Sequence, residues 1–461
     1  SYKCNSCGNQ GRGEKDPFRH SYLGMAFYSS NLLPHLLRKT DSHKNPKNLP
    51  FDGRRLITFT DSRQGTAKMA IKVQQDAERM KIRSLILSII SKEIDSERVK
   101  DLNGKISKLK PLKEEPGIAD ILKDYEKELE FLKPEPTPYT ELKSSLRENA
   151  EIKDHIFSYY RNLAPLIFGG PEGLDKYIEL QLLINFSRRP KRLNSLETLG
   201  LVEIVYPDLE KIKQVDSEWL NHKLTLSDWK DFLKICIDHH VRNGIFVDLD
   251  PYLLRWSGGR FSPKYLVNPH EKPGPVYKPW PQFRKGRPIH RLVILLSAVL
   301  KIDIENPTIK ERELINHFLE TAWIDLVRKS GILSPAGEGY QMSLKKMSFA
   351  IPKKRWFCPV SLRVLDTTLK NYTPYISKSE HGFDKYQCKP IVFPNIPIKT
   401  YQLDSEWYQE MKDWVEFDVH VENLRQEGLW TDQTDEIVTG NRFVRVAEHS
   451  AQQSSNTLSK Y

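Results

Sequence analysis

Apolar residues along this chain follow two different periods. Residues 54–60 (RRLITFT) form a short apolar and β-branched run, the pattern of a buried strand. Asp61 and Ser62 come next, with side-chain oxygens suited to capping a helix that starts at Arg63. Ala70, Val73, Ala77 and Met80 then recur at helical spacing and predict one apolar face. A strand running into a capped helix is the basic unit of an α/β sheet. From about residue 84 to about 430 helical periodicity dominates, broken by Pro-rich joints at 133–138 and 268–288. Trp407, Met411, Trp414, Val421 and Leu424 share one face of a predicted single helix that stops at Gly428. Residues 443–447 (FVRVA) read as a second strand, and the α/β rhythm returns.

The expected fold is therefore α/β, with strands 54–60 and 443–447 interrupted by a large, mainly α-helical insertion. Inside the insertion, helices expected at 290–300 and 310–329 precede 331–350, where Gly and Pro separate short strand-like pieces. Helix, helix, then hairpin is the order of a winged helix. The segments run as a lead-in over 1–50, a first α/β part over 51–83, helical insertion over 84–288, a winged-helix-like region over 289–350, further insertion over 351–430, and an α/β return over 431–461.

Composition narrows the function classes. The longest apolar runs, such as 292–296, fall short of the roughly 20 residues needed to cross a bilayer, so no membrane span is expected. Five cysteines, an odd number thinly spread, point to a reducing, cytoplasmic setting over a disulfide scaffold. The chain starts at Ser1 with no signal-peptide pattern, which predicts the interior of a longer protein. With 71 Lys and Arg against 60 Asp and Glu, the net charge of +11 favours a polyanionic partner.

Several clusters are candidates for chemistry. Cys4 and Cys7, followed by Gly8, have the spacing of a zinc knuckle, the remnant of a zinc ribbon whose second pair either stood upstream or is completed by Cys358 or Cys388; the alternative is two free thiols. Cys236, His239 and His240 lie in a helical stretch and read as a buried Cys beside surface histidines. Phe261, Tyr265, Tyr277, Trp280 and Phe283 alternate with Arg260, Lys264, Lys272, Lys278, Arg284, Lys285, Arg287 and Arg291. Such a mixture either stacks bases and neutralises phosphates or is a loop anchored by its aromatics. Lys345, Lys346, Lys353, Lys354 and Arg355 form a second basic cluster on the expected wing. Asp248 and Asp250 lack the companions a nuclease needs, and no hydrolytic site is expected.

The segment LITFTDSRQGTAKMA (56–70) resembles motif IV of the second RecA-like domain in large DEAD/DEAH-box superfamily 2 helicases, particularly the very long ones of bacterial anti-phage defence islands, Druantia-type systems among them. FVRVAEHSAQ (443–452) is similar to the next strand and loop of that domain, and 356–375 to a segment inserted in the same helicases. The resemblance implies that Thr60, Asp61, Ser62, Arg63, Gln64, His449, Ser450 and Gln452 touch the backbone of a tracked DNA strand. Such contacts confer grip without sequence specificity. It also implies ATP and Mg2+ in the intact parent, with DNA and other defence-system proteins as partners. The chain departs from the family in having no GxxxxGK[ST] loop and no Asp-Glu pair closing an apolar strand, so by itself it is not expected to hydrolyse ATP. The alternative is a non-enzymatic nucleic-acid-binding or scaffold module built on the winged-helix-like region, with Arg284, Lys285, Lys345 and Lys346 as its contacts.

Overall fold

The computed structural model of the protein describes residues 32–33, 36–37, 39–45, 53–57, 63–91, 96–112, 117–131, 135–187, 194–244, 246–256, 264–271, 274–377, 382–397, 405–440, 444 and 446. It is mixed α/β and divides into two compact units, residues 1–79 with 442–461, and residues 80–441. Helix α1 (Arg63–Ile90) begins at the expected position, and the boundary between the units falls inside it.

Along α1 Val73 and Ala77 in the first unit and Met80 at the start of the second are buried, as the helical spacing predicts, while Ala70 is only partly buried and Met69 is buried in addition. The expected buried strand is absent over its described part. Residues 54–57 join no ladder among the described residues, and Ile57 is 79% exposed. Apolar β-branched composition favours a strand only where a partner ladder completes it. Residues 58–62 lie outside the described residues, and of 443–447 only 444 and 446 are described, neither in a strand.

The second unit begins with the last turns of α1, which are buried on every side. Ile82, Leu85, Ile86 and Leu87 are joined there by Lys81 and Arg83. A buried cation is tolerated only with partners. Lys81 Nζ lies 2.6 Å from Glu151 Oε2, and Arg83 Nε donates to Asn185 Oδ1 at 3.0 Å.

The stretch expected to be mainly helical also carries three small sheets. Among the described residues every strand lies between 137 and 390. β1 (Thr137–Pro138), β8 (Ser348–Ala350) and β2 (Glu203–Val205) form one antiparallel sheet in that order. β9 (Trp356–Cys358) is flanked by β10 (Arg363–Leu365) and β11 (Lys389–Pro390), both antiparallel to it. The largest sheet centres on β7 (Gly339–Ser343), which pairs with β6 (Leu333–Ala336), β3 (Val247–Asp248) and β4 (Tyr265–Val267); β4 also pairs with β5 (Tyr277–Pro279). Strands of two to five residues are too short for alternation to register in the sequence, and their pairings link positions up to about two hundred residues apart.

The core of this unit is built on α2 (Leu226–Gly244). Trp229 and Phe232 on α2 meet Trp219 at ring distances of 4.8 and 6.0 Å, and Trp219 meets Phe318 at 5.1 Å. All four rings are fully buried, each worth roughly 1.5–3 kcal/mol of transfer free energy or more for the larger indoles. The indole N–H of Trp229 donates to Asp325 Oδ2 at 2.9 Å, so its polar atom is satisfied inside the core.

Phe318 belongs to α4 (Ile309–Ile324), which follows α3 (Arg291–Leu300). Thr308 and Glu311 close a capping box at the start of α4. The hairpin β6–β7 then turns through Gly337, at φ +58°, and Glu338. Helix, helix and hairpin thus occur in the expected order.

The single helix expected to end at Gly428 is instead two, α5 (Ser405–Phe417) and α6 (Val419–Gln426). Asp418 makes the break: its carboxylate accepts the N–H groups of His420 at 2.8 Å and Val421 at 3.0 Å, capping a new helix. Met411, Val421 and Leu424 are still buried, because the apolar stripe continues across the break.

Candidate nucleic-acid interface

The basic and aromatic stretch before α3 separates into an apolar anchor and an exposed cationic turn. Trp280 follows β5 and is buried, with its indole N–H donating to Leu319 O at 2.7 Å. Phe283 is buried too, and its backbone is clamped by one side chain of α4. Phe283 N–H donates to Asn316 Oδ1 at 2.7 Å, while Asn316 Nδ2 donates to Phe283 O at 3.2 Å. Asn316 therefore serves Phe283 as a strand neighbour would.

Just beyond this clamp, Arg284, Lys285, Gly286 and Arg287 are all exposed, turning through Gly286 at φ +72°. The Arg284 guanidinium donates to Gln282 Oε1 at 2.6 Å and to Pro269 O at 2.9 Å, which fixes its orientation. Lys285 and Arg287 make no ion pair among the described residues. The turn thus presents three cations on a rigid support. Trp280 and Phe283 cannot stack on bases from their buried positions, and Tyr265 and Tyr277 pack on each other at 5.3 Å. For Trp280 and Phe283 the anchoring role applies, while Tyr265 and Tyr277 are partly exposed and Phe261, Arg260 and Lys272 lie outside the described residues.

The second basic cluster is partly spent on internal partners. Lys346 Nζ lies 2.7 Å from Asp208 Oδ2, and Lys211 binds the other oxygen of the same carboxylate at 2.7 Å. Burial opposes the charge on Asp208, but these two ammonium groups outweigh it and hold its pKa below the usual value. Arg355 donates from Nε to Gly200 O at 2.7 Å and stacks over Phe393 at 4.3 Å. Burial brings its pKa down to about 10. Lys345, Lys353 and Lys354 remain exposed.

Of the residues that the helicase resemblance singles out, Thr60, Asp61, Ser62, His449, Ser450 and Gln452 lie outside the described residues, as do Cys4 and Cys7. Arg63 and Gln64 form the first turn of α1, and their side chains lie outside the described part.

Two buried polar groupings on α2 were not anticipated. Lys234, Asp238 and Arg242 repeat every fourth residue along one side of the helix. Lys234 Nζ meets Asp366 Oδ2 at 2.6 Å, Arg242 pairs with Glu197 and with Asp238 at 3.2 Å, and the Tyr206 hydroxyl donates to Asp238 at 2.8 Å. Burial opposes the charge on Lys234, yet Asp366 and Asp238 prevail and raise its pKa. Burial lifts Glu203 to about 7 and Asp231 to about 6. The i, i+4, i+8 spacing of charges opposite an apolar face was the available signal, but such a stripe ordinarily faces water.

The second grouping corrects the expectation of surface histidines. His240 is buried, and its ring lies 4.8 Å from Trp280. His239 is partly buried and lies 4.7 Å from His290, which caps α3 by accepting the Leu292 N–H at 3.2 Å. Burial depresses all three, His239 to about 3 and His290 to about 4, so they are neutral at physiological pH. Among the described residues no group of three or more His, Cys, Asp or Glu is arranged to hold a metal ion. No helix among them is long and apolar enough to cross a membrane. The turn at 284–287 presents fixed positive charge. Compared with protein-family models, curated proteins and solved structures, the chain matches none.

Proposed function

We propose that this chain is part of an ATP-dependent superfamily 2 DNA helicase or translocase, acting in bacterial anti-phage defence. The observation that carries the reading is the discontinuity of the first unit. Residues 1–79 and 442–461 group together, and 80–441 form a separate unit between them. The two sequence segments with helicase resemblance, 56–70 and 443–452, both fall largely or wholly in that first unit. A RecA-like domain interrupted by an insertion has this organisation. Loops at 60–64 and 449–452 would grip the backbone of one strand, and the parts that bind ATP and Mg2+ would lie elsewhere in the longer protein. The turn at 284–287 supplies a further backbone contact from the insertion. The test is DNA-stimulated ATPase in the intact parent carrying Arg63→Ala and Gln64→Ala. Loss of stimulation supports the reading, and normal coupling refutes it.

A second reading is a nucleic-acid-binding module that is not an enzyme, with α3, α4 and the β6–β7 hairpin as a winged-helix-like region. The exposed turn at 284–287 favours it. The outer face of α4 does not, because Glu313 is exposed there and Glu320 is partly so, and both would repel phosphates. The two readings separate in the intact chain. If Lys285→Glu with Arg287→Glu abolishes DNA binding while Arg63→Ala with Gln64→Ala leaves it intact, the module reading prevails.

A further inference from the structure

Cys358 closes β9 and Cys388 immediately precedes β11, strands that pair with Lys389 opposite Phe357. Both thiols are free and buried, and they share a small cluster with Leu365, edged by Trp356 and Tyr375. Two hydroxyls join them. Thr373 Oγ1 lies 3.0 Å from Cys358 Sγ. Ser361 donates its backbone N–H to the same sulfur at 3.3 Å, and Leu362 N–H donates to Cys358 O at 2.9 Å. Residues 358–362 therefore curl around the sulfur between β9 and β10, with Leu362 at φ +54°. The Ser361 hydroxyl is buried and has no hydrogen-bond partner among the described residues.

This turn has the frame of a zinc knuckle, in which a second ligand stands three residues after the first and a left-handed residue follows. The pattern Cys4-x2-Cys7-Gly8 has the same frame in the sequence; here Ser361 and Leu362 occupy the last two places. We propose that Cys358, Ser361, Thr373 and Cys388 form a binding site for a zinc-class divalent metal ion. The two cysteines bind as thiolates and the two hydroxyls as neutral oxygen donors. Each ion that enters forms two metal–sulfur bonds and releases two protons, one from each thiol, with no change in oxidation state.

Charge and geometry both support the site. A divalent ion with two thiolates is neutral, which suits packed apolar surroundings that include Leu365, Trp356 and Tyr375. Zn–S near 2.3 Å and Zn–O near 2.1 Å place tetrahedral sulfur and oxygen about 3.6 Å apart. The 3.0 Å contact between Cys358 and Thr373 has to open only slightly to admit the ion. An unpartnered buried hydroxyl is destabilising, and metal ligation gives the Ser361 oxygen a partner.

The test is titration of the reduced, metal-free full chain with Co2+, followed by displacement with Zn2+. Cys4→Ser and Cys7→Ser form the background, so the other Cys pair cannot contribute. The expected result is one Co2+ per chain, with tetrahedral d–d bands, thiolate-to-metal charge transfer and release of two protons. Ser361→Cys adds a third thiolate with little change of volume, and the affinity should rise by about tenfold or more. Cys358→Ser and Cys388→Ser should abolish the bands; if either fails to fold, Ser361→Cys still decides the matter. Absence of tetrahedral Co2+ in the Cys4→Ser, Cys7→Ser background, or unchanged affinity in Ser361→Cys, overturns the proposal.

Discussion

Replacing Asn316 by Ala removes no charge and leaves the residues of the basic turn untouched, yet it should loosen that turn. Asn316 makes two hydrogen bonds to the backbone of Phe283, at 2.7 and 3.2 Å, immediately before the cations at 284–287. Each neutral hydrogen bond contributes about 1 kcal/mol net, so their loss lowers the free energy of local opening by about 2 kcal/mol. That corresponds to roughly a thirtyfold larger open population. Trp280 and its bond to Leu319 O remain, so opening should stay confined to the turn and not spread through the sheet. Hydrogen exchange followed on a peptide spanning 280–287 reads this directly. Exchange should accelerate by about one to one and a half decades in Asn316→Ala, with peptides from α2 unchanged. Exchange within about twofold of the wild type would refute the claim that this side chain holds the turn. If the turn contacts DNA, the same variant should also bind DNA more weakly with its net charge unaltered.

Three other outcomes follow from the same physics. Lys285→Gln with Arg287→Gln should lower the slope of log K against log salt by about 1.8 on duplex DNA, provided both cations neutralise phosphates; an unchanged slope removes the turn from the interface. Glu203 is raised from 4.5 to about 7 by burial, so the folded state favours its protonated form. The stabilisation this brings is complete below about pH 4.5 and is lost as pH rises through about 7, so Glu203→Gln should unfold at a higher temperature than wild type near pH 8 and at a similar one near pH 4.5. A gap that is constant with pH counts against that assignment. Asp418→Ala removes the one oxygen that accepts both N–H groups at the start of α6 and should cost about 1 kcal/mol, while Asp418→Asn should retain most of it; equal thermal midpoints for the two variants would show that the cap is immaterial.

What the sequence determined by itself was local. The start of α1 at Arg63, the apolar face through Val73 and Ala77, and the succession of α3, α4 and a hairpin all follow from periodicity and from residues that cap or turn the chain within a few positions. The basic character of 284–287 was equally legible, because charge is a property of the residues themselves. Tertiary structure decided which of those residues remain available. Lys346 and Arg355 read as surface cations until Asp208, Gly200 and Phe393, distant in the chain, engage them. His239 and His240 read as surface groups until α3 and Trp280 cover them. Asp418 splits a continuous apolar stripe because its carboxylate competes for backbone N–H groups, a choice the stripe alone does not express. Cys358 and Cys388, thirty positions apart, share one buried cluster only because β11 pairs with β9. Periodicity records which way a side chain faces along its own element, while burial, pairing and convergence depend on the element placed opposite.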